Sequence, residues 1–307
     1  MTVTLIQMML IIACGIGWRI FKPAGLTAPQ TRHVLTSVVY YLLLPTLILD
    51  VLWSATLGLH SIEFSLIGIT AIFTSLLLIW SVLLLFKPKR SKIGALLLVT
   101  AFPNVTYLGL PILEQVFGHW ARSVVIQLDL FAFSPLLFTV GIMIARHYGE
   151  DKGQHRAMLS FLNTPPFWAA LIAVVLNLNH IPVPEWLNGT LDKLSAAVAP
   201  LMLFSLGLAL SWNSIKLQNI PYIIPVIAIK LLIMPLLVTM LLPYSTMSYE
   251  YKAAVVLDLA MPSMLMGIVF CDRYKLDSEL YAMAVTVTTL LSIVTLPFWF
   301  DFMSDLL

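Results

Sequence analysis

The strongest constraint in this chain is a series of apolar runs, each long enough to cross a bilayer and nearly free of charge. A span needs about 20 apolar residues. Ten such runs can be marked, at 3–21, 33–56, 63–86, 93–117, 122–146, 158–179, 190–211, 220–243, 252–271 and 280–302. In hydrocarbon every backbone polar group must find a partner within the protein, so runs of this kind fold as helices. The predicted fold class is all-α and integral to a membrane. Composition agrees, because 60% of the 307 residues are hydrophobic and 10% charged, which leaves too little polar surface for a water-soluble domain. A net charge of +2 and the lack of a long basic run argue against nucleic acid as a partner. Membrane lipid is the implied surrounding.

The first run, Val3 to Phe21, has no basic residue before it and meets its first positive charge only at Arg19. A secretory signal has the reverse order, so a retained first helix is expected. Orientation follows from lysine and arginine, which collect in cytoplasmic loops. Alternate loops hold Arg19, Lys22 and Arg32; Lys87, Lys89, Arg90 and Lys92; Arg146, Lys152 and Arg156; Lys216; and Arg273 and Lys275. The opposite side has Arg122, Lys193 and Lys252. Both termini are therefore expected on the non-cytoplasmic side, in a bacterial inner membrane.

One stretch stands apart from its run. Ala101 to Pro111, AFPNVTYLGLP, sets Pro103, Gly109 and the polar side chains Asn104, Thr106 and Tyr107 inside an otherwise apolar segment. Proline removes a backbone donor and clashes with the preceding turn, so a helix carrying Pro103 is kinked or broken there. The loosened backbone must be satisfied by protein, water or solute, and broken helices at membrane depth are common where transporters hold their cargo.

The same pattern recurs. Pro45 pairs with Pro200, Pro103 with Pro262 and Pro135 with Pro297, at separations of 155, 159 and 162 residues. Ala101-Phe-Pro-Asn104 is echoed by Ala260-Met-Pro-Ser263, and each is followed by a glycine, Gly109 or Gly267. The boundary falls between 1–147 and 148–307. Five spans per half is an odd number, so the halves enter the membrane in opposite directions, and a binding site is expected where they meet. If runs 4 and 9 cross at Pro103 and Pro262, their half-helices present positive dipole ends suited to an anion. Asn104, Thr106, Tyr107 and Ser263 then offer neutral hydrogen bonds. The bland alternative is that Ser or Thr beside a membrane proline only re-satisfies loosened backbone.

Charges within spans are costly and tend to be functional. Lys230 lies mid-span in run 8, Asp258 lies four residues before Pro262, Asp129 lies in the outer half of run 5 and Asp50 towards the outer end of run 2, the last two with the alternative of simply reaching the outer water. Lys230 could meet an anionic solute, and Lys230 with Asp258 could exchange a proton or simply lock two helices together; Asp129 is a further candidate for coupling or charge balance. The six histidines fall in loops or at span ends, which argues against a metal site or buried proton relay. Cys14 and Cys271 make no disulfide framework. Met261, Met264 and Met266 read as lining or core rather than a soft-metal path. No cofactor is expected. An intramembrane aspartyl protease built on Asp129 and Asp258 is disfavoured, because neither has a glycine-rich loop to bring a paired carboxylate into place, and no other enzyme is indicated.

Leu44-Pro45-Thr46-Leu47-Ile48, Asn104 through Gly109-Leu110-Pro111, Ala199-Pro200-Leu201 with Leu206-Gly207, and Met261-Pro262-Ser263 leading to Arg273-Tyr274 together resemble the auxin efflux carrier family, whose bacterial members include malonate and malate permeases. The resemblance covers essentially the whole chain. It implies a scaffold of spans 1, 2, 6 and 7 beside a transport unit of spans 3–5 and 8–10, with a substrate anion at the crossover of spans 4 and 9, beside Asn104 and with Lys230 as the basic residue. The chain departs from the family at Ser263-Met-Leu-Met266, where small and polar residues are frequent, and at the charge of Asp258. The expected function is secondary active transport of a small organic anion by alternating access, with a proton or sodium as coupling ion and a homodimer as a further expectation. The competing readings are a sodium-coupled carrier of the bile-acid type, which needs an oxygen-rich cation cage, and a membrane sensor, which usually carries a soluble output domain.

Overall fold

A computed structural model describes residues 2–55, 57–150, 162, 164–210 and 212–306. Lys152, His155 and Arg156, three of the loop residues used above for orientation and chemistry, lie outside the described residues. Among those described, the fold is helical throughout, with no strand longer than a single bridge. The helices are α1 (Thr2–Phe21), α2 (Ala28–Trp53), α3 (Leu59–Phe86), α4 (Arg90–Ala101), α5 (Val105–Phe117) and α6 (Ala121–Tyr148). They continue with α7 (Pro165–Leu178), α8 (Glu185–Ala209), α9 (Leu217–Tyr244), α10 (Tyr249–Leu259), α11 (Gly267–Tyr274) and α12 (Ser278–Asp305). Six of these, α2, α3, α6, α8, α9 and α12, are long and apolar enough to cross a membrane. This is an integral membrane protein. The apolar runs at 93–117 and 252–271 are each divided, the first into α4 and α5 and the second into α10 and α11.

Proline shapes the long helices in a regular way. A wide π-type turn precedes Pro45 at Val39–Leu43, Pro111 at Val105–Gly109, Pro135 at Asp129–Phe133 and Pro235 at Ala228–Ile233. The proline ring clashes with the carbonyl four residues back. In each case that carbonyl, on Tyr41, Tyr107, Phe131 or Leu231, lies inside the wide turn, which takes up the clash without breaking the helix. Pro200 and Pro297 sit within helix that keeps its regular turn.

The helices pack as two groups. In the first, α1 lies along α8, and α2 packs against both α7 and α8. Gly15 and Gly207 allow the closest approach: a side chain on Gly15 would meet the Phe204 carbonyl, and one on Gly207 the Ile12 carbonyl. Small residues at such a crossing substitute close van der Waals packing for the missing hydrophobic drive inside lipid. In the second group, α4 packs on α3, α12 and the end of α6, while α10 packs on α5, α6, α12 and the second half of α9. The two interrupted rods, α4/α5 and α10/α11, therefore lie within one bundle.

Candidate functional site

The interruptions meet. Past Ala101 the backbone becomes extended at Phe102 (φ −97°, ψ 117°), and Pro103 stands opposite Ser263 in an antiparallel bridge. The Asn104 amide donates to the Pro262 carbonyl at 2.8 Å, and the Met264 amide donates to the Phe102 carbonyl at 2.9 Å. Each unwound strand thus supplies a partner for the other, as membrane depth requires. Part of the amide character expected to face an anion is consumed in this pairing. The N-terminal turn of α5, whose first N–H groups have no partner within the helix, begins immediately after it at Val105.

Helix α12 holds the second strand from behind. Thr288 Oγ1 accepts from the Ser263 amide at 3.2 Å, and the Tyr281 hydroxyl donates to the Met264 carbonyl at 2.7 Å. Gly267 is bare because the Tyr281 hydroxyl occupies the place of a β-carbon. Lys230, on the wide turn of α9, reaches the carbonyl end of α4 and donates to the Ala101 carbonyl at 3.4 Å. A cation suits the negative end of a helix dipole. Asp258 packs against Gly109, where a β-carbon would run into its carboxylate. Both Asp258 oxygens are buried without a hydrogen-bond partner among the described residues. No ion pair within 4 Å joins Lys230 to Asp258 among those residues.

On the opposite face of the crossover lies a cavity of about 70 Å³, bounded by Asn104, Thr106 and Tyr107, by Asp129 and Ser134 from α6, by Tyr40 from α2, by Thr164 before α7, and by Met264 and Met266. One buried water needs about 10–15 Å³ of such space, so the cavity has room for about five, the size of a small organic acid. The Asn104 side-chain nitrogen, Nδ2, is buried without a partner among the described residues. Thr106 donates a short hydrogen bond to Asp129 Oδ2, and Ser134 donates to Oδ1 at 2.8 Å.

Of the residues singled out from sequence, Asn104, Thr106, Tyr107 and Asp129 come together around this cavity. Ser263, Lys230 and Asp258 stand behind the crossover and do not line it. Met264 and Met266 line it, whereas Met261 packs behind, against Gly109. Tyr40, Ser134 and Thr164 were not anticipated, although Ser134 and Thr164 each adjoin a proline in an apolar run, on its N-terminal side, whereas Asn104 and Ser263 follow theirs.

The cavity leads towards one side of the protein through a space of about 390 Å³ lined by Arg32, His33, Thr36, Ser37 and Tyr41, with Tyr40, Tyr107 and Met266 shared between the two. A separate vestibule of about 840 Å³ lies at the other end of α2, lined by Asp50, His119, Arg122, Asn188 and Asp192. There Arg122 bridges Glu114 on α5, through a close ion pair, and Asp50 on α2 at 3.7 Å.

The sequence profile of a family described as membrane transport protein matches residues 2–300. An uncharacterized transporter of Methanocaldococcus jannaschii is 28% identical over 311 residues, with 97% of each chain covered. One from Methanothermobacter thermautotrophicus is 28% identical over 306 residues, again with 97% of each covered. An uncharacterized transporter of Escherichia coli K12 is 21% identical over 220 residues, spanning 70% of this chain and 69% of its own.

Proposed function

The chain belongs to the membrane transport protein family, the family of the auxin efflux carriers, and from that premise we propose that it is a secondary carrier of a small organic anion such as malonate, malate or an auxin-like acid. The observation that carries this reading is the antiparallel pairing of two interrupted helices beside a small polar cavity. Ten spans follow if α4 with α5 and α10 with α11 each count as one crossing. The halves 1–147 and 148–307 then form inverted repeats, with both termini outside the cytoplasm of a bacterial inner membrane. The first packing group serves as scaffold and the second as the moving transport bundle.

In the cavity, the side chains of Asn104 and Tyr107 donate hydrogen bonds to the cargo, Thr106 lies beside it with its hydroxyl proton on Asp129 and gives that proton to the cargo only by leaving Asp129, and the N-terminal turn of α5 adds its positive dipole end. Lys230 and Asp258 act from behind, balancing charge where α4 ends and holding the two half-helices in register. The cavity opens towards Arg32 and His33, on the side where lysine and arginine gather, while the Asp50–Arg122–Glu114 bridge ties scaffold to bundle on the other. This is an inward-open arrangement of an alternating-access cycle.

The test is uptake of radiolabelled malonate, malate and indole-3-acetate by proteoliposomes holding purified protein, beside an Asn104→Ala variant. At least one acid should accumulate above protein-free vesicles, and Asn104→Ala should lower that uptake about tenfold, near the cost of one lost hydrogen bond to a charged group, while inserting normally. Uptake of none of the acids by the wild type would end the anion-carrier reading. Equal uptake by the variant would remove Asn104 from the site.

A further inference from the structure

The cavity presents a contradiction that its own geometry resolves. Its lining holds a carboxylate, Asp129, and no lysine, arginine or histidine among the described residues. Lys230 stands outside the lining, at the carbonyl end of α4, and a second buried carboxylate, Asp258, packs on Gly109 between Lys230 and Asp129 and interacts with both. An anion placed among Asn104, Thr106 and Tyr107 would therefore lie against the Asp129 carboxylate with no cation in the lining to offset it, Arg32 standing farther out in the adjoining space. In a water-poor interior, two like charges in contact are disfavoured by more than neutral hydrogen bonds return.

We infer that Asp129 is the binding site of the coupling proton, and that proton and cargo carboxylate enter the cavity together, one for one. This rests on the anion-carrier reading and adds its coupling ion. The proton comes from bulk water on the loading side, binds a carboxylate oxygen of Asp129, and returns to bulk water on the other side when the cargo leaves. Its effect is to turn a repelling acceptor into a donor. Asp129 already accepts from Thr106 on one oxygen and Ser134 on the other, which fixes the plane of the carboxyl. A protonated Asp129 can donate a hydrogen bond to the cargo carboxylate, the stronger charge-assisted kind.

The surroundings fit a proton better than a metal ion. Both hydroxyls bond the carboxylate directly, so no cation-sized gap separates these oxygens. The titratable groups that face Asp129 are Tyr40 from α2, Tyr107 from α5 and Asp258 from α10. Helix α3, packed against the same wide turn, presents Gly68, whose missing side chain leaves room for Ala132 and Phe133. Protonation at this point also bears on motion, since Thr106 and Asp129 tie α5 to α6 on the cavity wall.

The experiment measures proton uptake on binding. Purified wild-type protein in weakly buffered detergent solution at alkaline pH, with a pH-indicator dye, is titrated with malonate, malate or indole-3-acetate in choline chloride. Affinities are read in parallel by calorimetry from pH 6 to pH 9. Wild type should take up about one proton per molecule of acid bound, and its affinity should fall by up to about tenfold per pH unit, the limit for one linked proton. Asp129→Asn, which mimics the protonated shape, should bind the same acid with no proton uptake and less than a threefold change across the range. Should the variant fail to fold, the wild-type stoichiometry still decides. Binding without proton uptake overturns the inference, as does Asp129→Asn keeping the wild-type uptake. If sodium in place of choline restores binding at pH 9 and abolishes proton uptake, the coupling ion is sodium and the inference fails. If no carboxylate binds at any pH, the anion-carrier reading itself fails, and this inference with it.

Discussion

Lys230 and Asp258 offer the sharpest test of how the crossover is held. Both side chains are buried, at 2% and 0% exposure. Lys230 finds the Ala101 carbonyl, whereas Asp258 has no hydrogen-bond partner among the described residues. They lie farther apart than the 4 Å of a direct ion pair, and Asp258 interacts with the Asp129 carboxylate as well as with Lys230. Two unit charges 4 Å apart at an effective dielectric of ~20 attract by about 4 kcal/mol, which sets an upper bound for this pair. Removing one member of a buried pair leaves the other uncompensated, at a cost of about 3–5 kcal/mol. Lys230→Met and Asp258→Asn should each destabilise on that scale, discounted to about 2–4 kcal/mol for the longer separation. The double variant should lose far less than the sum, because a neutral pair leaves no lone charge in the interior. At about 2 °C per kcal/mol for a chain of this size, the single variants should unfold roughly 4–8 °C lower in detergent and the double variant within about 3 °C of wild type. Single effects that simply add would refute the claim that these two charges balance one another.

Three further outcomes follow from particular contacts. Arg122→Met leaves Glu114 and Asp50 facing each other without a cation, in a place that is only 11–16% exposed; it should cost about 2–4 kcal/mol, and adding Glu114→Gln should recover at least half, as read by thermal unfolding. Gly267→Ala drives a methyl group into the Tyr281 hydroxyl and should cost about 1–3 kcal/mol; Tyr281→Phe alone forfeits the bond to Met264, about 1 kcal/mol, so the double variant should be less destabilised than the two together, and strict additivity would count against the contact. Pro135→Ala removes the clash that widens α6 at Asp129–Phe133, so the protein should unfold at a higher temperature while uptake falls, because Asp129 swings off Thr106. Unchanged uptake would mean that the wide turn does not place Asp129.

How far the sequence discloses this molecule depends on which physical signal each part leaves. Pro103 and Pro262 were readable because a proline in an apolar run must interrupt the hydrogen-bond ladder, and the structure puts the breaks there. The wide turns were less visible, since the same residue can break a helix, as Pro103 does, widen it, as Pro135 does, or leave it regular, as Pro200 does. Local composition does not separate these outcomes; packing does. What sequence could not reveal was which side of the crossover a polar residue faces. Asn104 and Ser263 follow equivalent prolines, yet Asn104 lines the cavity, whereas the Ser263 amide is tied to Thr288 on α12. Lys230 and Asp129 are both charges within apolar spans and on wide turns, yet one caps the carbonyl end of α4 from behind and the other lines the cavity. The charge in the cavity lining is therefore a carboxylate, whereas the lysine expected to meet an anion stands outside that lining. A pocket whose near charge is a carboxylate and whose cation stands behind the backbone disfavours an anion unless something positive accompanies it, and on that physical ground rests the inferred coupling to a proton.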